Sequence, residues 1–148
     1  MEGEHYIYIS NICDNNKRYD LKYIYRIIEP EVFSDQAPKD TTLTVADRIT
    51  FRFSDGRRDA ETFFVDPLTK DIYIVSKREN NVRVYRAPYP QLTDETITLE
   101  HVTTLDITLA TSGDISPSGQ EILIRTYYHI YYWRREPGQN LWEVFDNE

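Results

Sequence analysis

A single cysteine, Cys13, stands in a chain of 148 residues. An internal disulfide is therefore excluded, and so is a zinc site built on paired cysteines. Histidine is nearly as sparse: His5, His101 and His129 lie far apart, with no ligand-type spacing between them. Glycine occurs five times, and no phosphate-cradling glycine loop is present. No run approaches the roughly 18 apolar residues that read as a membrane-crossing helix. The start, MEGEHYIYIS, is acidic where a secretory signal would be basic, and its apolar stretch is short. The expectation is a soluble protein with no membrane partner and no readable address. Positive charge is also scarce: 17 Lys and Arg against 25 Asp and Glu give a formal net charge of -8. Nucleic-acid affinity rests on cations neutralising phosphates, so no nucleic-acid partner is expected.

What the chain does hold is tyrosine, with 12 copies, and short runs of Val, Ile and Tyr. A hydrophobic content of 40% is enough for one domain with its own core. Asp59–Pro88 reads as three strands, FFV, DIYIVS and VRVYR, joined by the turns DPLTKD and RENN. Runs of this length and composition, bounded by Pro, Asp and Asn, predict an antiparallel meander. Further strands are expected at His5–Ser10, Leu21–Ile28, Leu43–Phe53, Ile97–Leu105, Glu121–Tyr127, His129–Arg135 and Leu141–Phe145. The loop Asn11–Asp20 is dense in Asn and Asp, which close turns with their own side chains. A second loop spans Glu29–Pro38, and no amphipathic helix is predicted.

The meander repeats. DPLTKDIYIV and SPSGQEILI align on Pro67 and Pro117, and KYIYRI, VRVYRA and IYYWRR align as third strands carrying Arg26, Arg86 and Arg134. Those arginines are expected to cover ring faces between units. Units of about 50 residues with four antiparallel strands are the signature of propeller blades. The fold class is thus all-β, a partial β-propeller of about three blades: 1–56 an incomplete blade, 57–108 a complete one, 109–148 a third. Complete propellers have about four to eight blades, so the expected partners are missing blades or another copy of the chain. Uncovered apolar faces and strand edges predict self-association or marginal stability.

Seven segments carry a family resemblance: NICDN at Asn11–Asn15, IYRIIEP at Ile24–Pro30, DAETFFVDP at Asp59–Pro67, IYIVSKR at Ile72–Arg78, VYRAP at Val84–Pro88, DISPSG at Asp114–Gly119 and RTY at Arg125–Tyr127. Their order resembles bacterial-type, usually six-bladed β-propellers of the NHL, phytase-like and calcium-dependent phosphotriesterase-like group. Asn11 stands where that pattern has an acid, and Cys13 where it has glycine. The resemblance implies a partial copy of such a ring.

In a propeller, inner-strand entries and second-to-third-strand loops share one rim. That places Asp14, Asn15, Asp59, Glu61, Lys77, Arg78, Asp114 and Tyr127 together as a candidate ligand-binding rim, with Asn11, Glu79, Tyr128 and His129 nearby. Asp14, Glu61 and Asp114 are the candidate metal ligands, since converging carboxylates suit Ca²⁺. The competing expectation is that these acids cap turns and satisfy backbone groups. Register separates Glu61 from Asp114, because Glu61 lies six residues before Pro67 and Asp114 three before Pro117. Lys77 and Arg78 either bind an anion or pair with Glu61 and Glu79. Cys13 has no histidine near it in sequence, and His129 has no orienting partner. The function expected is a non-catalytic module offering a polar rim to a small ligand or a partner. The alternative is a calcium-dependent hydrolase of phosphoesterase or lactonase type. No catalytic residue and no certain cofactor is assigned.

Overall fold

A computed structural model describes residues 4–36, 40 and 42–145. Pro38 and the acidic start at Glu2 lie outside the described residues. The chain is all-β, with strands β1 (Tyr6–Asn11), β2 (Lys22–Ile28), β3 (Asp47–Phe53), β4 (Ala60–Val65), β5 (Ile72–Ser76), β6 (Val82–Ala87), β7 (Thr96–Leu105), β8 (Ala110–Ile115), β9 (Glu121–Thr126) and β10 (Ile130–Arg134). A single turn of helix, α1 (Leu141–Val144), closes the described chain, and a 3₁₀ turn at Ser34–Gln36 interrupts the loop after β2.

Consecutive antiparallel pairing makes three meanders: β1–β2–β3, β4–β5–β6–β7 and β8–β9–β10. The middle one has the fourth strand expected from ITLEHVTTL. The first two meanders share one sheet. The first half of β7 pairs in parallel with β3, matching Phe51 to Ile97 and Phe53 to Leu99. Its second half pairs antiparallel with β6. The result is a curled, barrel-like sheet of order β1-β2-β3-β7-β6-β5-β4, with β8–β10 a separate sheet whose inner strand lies beside β4. Gly113 makes that approach close: a Cβ there would sit 2.7 Å from Thr62 Cγ2.

Strand β5 shows how the layers stack. All five of its residues are buried, because side chains on alternate sides enter different cores. Ile72 and Ile74 join Ile24, Ile49, Phe51, Phe53, Tyr85 and Leu99 between the first and second meanders. Tyr73 and Val75 join Phe64, Val82, Val84, Ile122 and Ile124 between the second and third. A half-buried strand would alternate apolar and polar residues. IYIV does not alternate because both faces are core.

The β4–β5 and β8–β9 pairs have matching registers. Ala60 opposes Ser76 and Ala110 opposes Thr126, each followed by a bulge before the next pair, Thr62 with Val75 and Ser112 with Arg125. Glu61 therefore corresponds to Thr111, and Asp114 corresponds to Phe64. The bulges occupy the same place in both strands, so they leave the Glu61–Asp114 offset uncorrected.

Two expectations are corrected. Leu141–Phe145 is not a strand. Glu143 reaches back to the Asn140 backbone N–H at 2.9 Å, as in a capping box, and Leu141, Val144 and Phe145 fall at helical spacing on one buried side. Arg134 is not the counterpart of Arg86. Arg86 opposes Tyr73 and the matching Leu123 opposes Tyr132, which places Arg134 two residues further along. Arg86 does cover a ring, that of Trp142 at 4.8 Å, and Arg26 lies 5.6 Å from the Tyr6 ring.

Candidate functional site

The loop after β1, the entry to β4, the β5–β6 turn and the β9–β10 turn meet at one end of the sheets. Asp59 sits at their centre, fully buried. Its Oδ1 accepts the Asp14 backbone N–H at 2.7 Å, its Oδ2 accepts Arg78 Nε at 2.7 Å, and its carbonyl accepts the Lys77 N–H at 2.9 Å. One carboxylate thus ties the first meander to the second across the seam between β1 and β4, the two edges of the curled sheet.

Asp14 organises its own loop. Its carboxylate accepts the N–H groups of Arg18 at 2.9 Å and Tyr19 at 2.8 Å, and Lys22 Nζ at 2.7 Å. Burial pushes the Asp14 carboxyl up, but Lys22 and the two backbone donors outweigh it and hold the group at about 2. The asparagine-rich loop folds this way because a short acidic side chain can collect several N–H groups that no strand satisfies.

Lys77, itself buried, places Nζ 2.6 Å from Glu61 and 5.0 Å from the centre of the Tyr127 ring. Burial lowers its pKa, and the Glu61 carboxylate, helped by Tyr127, more than reverses that. Arg78 turns to Asp59 and to the Asn15 side chain rather than to Glu79. Glu79 instead takes Arg58 at 2.7 Å and Lys17 at 3.7 Å. Cys13 Sγ lies 3.8 Å from Glu61 Oε1. Burial, then Asp59 and Glu61, push its thiol up, which opposes the thiolate a nucleophile requires.

The structure therefore brings Asp14, Asn15, Asp59, Glu61, Lys77, Arg78 and Tyr127 into one end-on network. Asp114 is not part of it. That residue accepts the Ile115 N–H at 2.8 Å and lines a shallow hollow with Pro117, Glu121 and Tyr132. Tyr128 and His129 are exposed on the turn that the Thr126 hydroxyl holds by accepting both their N–H groups. Among the described residues no group of three His, Cys, Asp or Glu side chains is placed to hold a metal ion. Two clefts flank the Cys13 loop. One, of about 530 Å³, lies over Asn11, Tyr19, Lys22 and Tyr23. The other, of about 210 Å³, opens along the seam between Ser10 and Glu61.

Several residues in these networks carried no signal in sequence. Asp55 gathers Arg58 at 3.0 Å, Tyr85 Oη at 2.7 Å and Arg83, and these donors hold its carboxyl well down against the upward push of burial. Asp66, read as a turn former, accepts Arg135 on both oxygens at 3.1 and 2.9 Å, with Arg135 Nε on the Gln139 carbonyl at 2.8 Å. Asp66 and Arg135 lie 69 positions apart, and no periodicity marks such a pair. Each of these clusters joins strands of different meanders or locks a turn.

Comparison of the chain with protein-family models, curated proteins and solved structures returned no match. Among the described residues no helix is long and apolar enough to cross a membrane.

Proposed function

We propose that the chain is a non-catalytic sector of a β-propeller, a stack of three blade-like meanders that offers a polar rim to a ligand or partner and is completed by further blades. The observation that carries this reading is the burial of β5 on both sides. It makes the middle meander an internal layer with one neighbour on each face, the relation that successive blades have in a ring. Among the described residues, the two outer meanders each have a neighbouring meander on one face only.

The rim supports binding over catalysis. Asp14 and Glu61 each hold a lysine within 2.7 Å. Asp59 is committed to Arg78 and the Asp14 N–H. A calcium ion at these acids would have to displace cations that are already in place, and Asp114 stands outside their network. The accessible parts of the rim are the Glu61–Cys13 seam and the exposed Tyr127–Tyr128 pair, whose rings meet edge to face at 6.4 Å. Aromatic rings beside a charged pair suit recognition of a partner surface.

The test is thermal unfolding with and without millimolar Ca²⁺. A ligand that binds the folded state raises the transition by mass action. The expected result is no shift. A rise that disappears in Glu61→Ala would overturn the non-catalytic reading in favour of the calcium-dependent hydrolase.

A further inference from the structure

The outer faces of the first and third meanders are the uncovered ends of the stack, and strand register says what each is matched to. In the middle meander, Ile74 opposes Tyr85 and Ile72 opposes Ala87. In the first, Ile9 opposes Tyr25 and Ile7 opposes Ile27. Ile7, Ile9, Tyr25 and Ile27 are thus the counterparts of the four residues that the middle meander presses against the meander before it. The third meander shows the reverse. Leu123 opposes Tyr132 and Arg125 opposes Ile130, as Tyr73 opposes Arg86 and Val75 opposes Val84. Leu123, Ile130 and Tyr132 are the counterparts of Tyr73, Val84 and Arg86, which the middle meander presses toward the meander after it.

Exposure makes the contrast plain. Ile74 and Val84 are 0% exposed, whereas their counterparts Ile9 and Ile130 are 54% and 68% exposed. Apolar residues stand at these positions although nothing among the described residues covers them. Building on the reading of the chain as an unfinished stack, we infer that the outer face of the third meander docks on the outer face of the first meander of a second copy. The two faces brought together are the counterparts of faces that already meet within the chain, first meander against second and second against third.

A contact of this kind is head to tail, so it either closes into a ring or grows. The described residues of each copy supply three meanders. One copy falls short of the roughly four to eight units with which such rings close, and two copies fall within that range. The product is a closed pair containing two equivalent interfaces.

The experiment is light scattering coupled to size exclusion on three proteins: the unmodified chain, Ile7→Glu with Ile9→Glu, and Leu123→Glu with Ile130→Glu. The unmodified chain is expected at about twice its 17.6 kDa mass. Each double variant is expected as a monomer, and their mixture as a pair, because one interface in the mixture keeps both native faces. The single substitutions I9E and I130E, read as weaker pairing on dilution, replace a double variant that does not fold. An unmodified chain that stays monomeric at every concentration overturns the inference. Pairing that survives either double variant also overturns it, since a head-to-head contact would use one face only. A monomer that binds a hydrophobic dye, with binding lost in I9E and I130E, overturns the second copy as occupant but leaves the unfinished stack standing. A monomer that binds no dye overturns both.

Discussion

The backbone N–H of Asp14 donates to the buried Oδ1 of Asp59 at 2.7 Å, across 45 positions of sequence. The bond latches the first meander to the second at the open seam of the curled sheet, and Arg78 balances the charge that the latch buries. Asp59→Ala leaves the Asp14 N–H without its acceptor and Arg78 with the Asn15 side chain but no carboxylate. Arg78 is more than a third exposed and recovers water, so the expected loss is about 2 kcal/mol, most of it from the orphaned buried donor. Arg78→Ala is expected to cost less than Asp59→Ala. Urea unfolding of both variants checks the order.

Acid should open the same region. The folded Asp14 carboxyl is held at about 2, below its unfolded value of about 4. A depressed carboxylate contributes stability that is complete above the unfolded value and is lost as pH falls through the folded one. Stability is therefore expected to decline between about pH 4 and pH 2, with Asp55, also held down, adding to the slope. Asp14→Asn lowers stability at neutral pH and flattens this acid limb. Chemical denaturation at several pH values measures both effects.

Arg135 performs a comparable service between the third meander and the β4–β5 turn of the second. It is buried, donates from Nη1 to both Asp66 oxygens, and sits just after β10. Arg135→Met removes the cation and leaves a buried carboxylate supported only by the Leu68 N–H and the Thr69 hydroxyl. The expected cost is about 3 kcal/mol. Hydrogen exchange should rise first in β8–β10, because that sheet depends on the contact while the seven-stranded sheet does not.

Gly113 reports on the packing of β8 against β4. An added methyl would meet Thr62 Cγ2 at 2.7 Å and the Leu123 carbonyl at 3.1 Å. Gly113→Ala is expected to destabilise by about 1–3 kcal/mol through overpacking. Combining it with Thr62→Ser, which removes the opposing methyl, should recover part of the loss. A double variant no more stable than Gly113→Ala would place the strain elsewhere.

Much of the architecture was legible in the chain. IYIVS and VRVYR are strand-forming on any reading, and they form β5 and most of β6. The parallel join of β3 to β7 is not legible, since it depends on how far the sheet curls, and the Arg52–Thr98 pair gives no sign of it. LWEVF reads as a strand because four of its five residues are apolar. The distinguishing signal was Asn140 three residues before Glu143. At the rim, Lys77 with Glu61 followed from adjacency of the loops, but the Arg78–Asp59 and Asp66–Arg135 pairs did not. Ion pairs between distant strands leave no periodic trace.

Hydrogen exchange at two protein concentrations addresses the layered stack and its unfinished ends together. Amides of β5 should exchange only by global unfolding at either concentration, because both faces of that strand are core. Those of β1, β2, β9 and β10 should gain protection as concentration rises and their outer faces become covered. Protection in the end strands that does not change with concentration, or β5 amides exchanging as fast as those of β1, would contradict it.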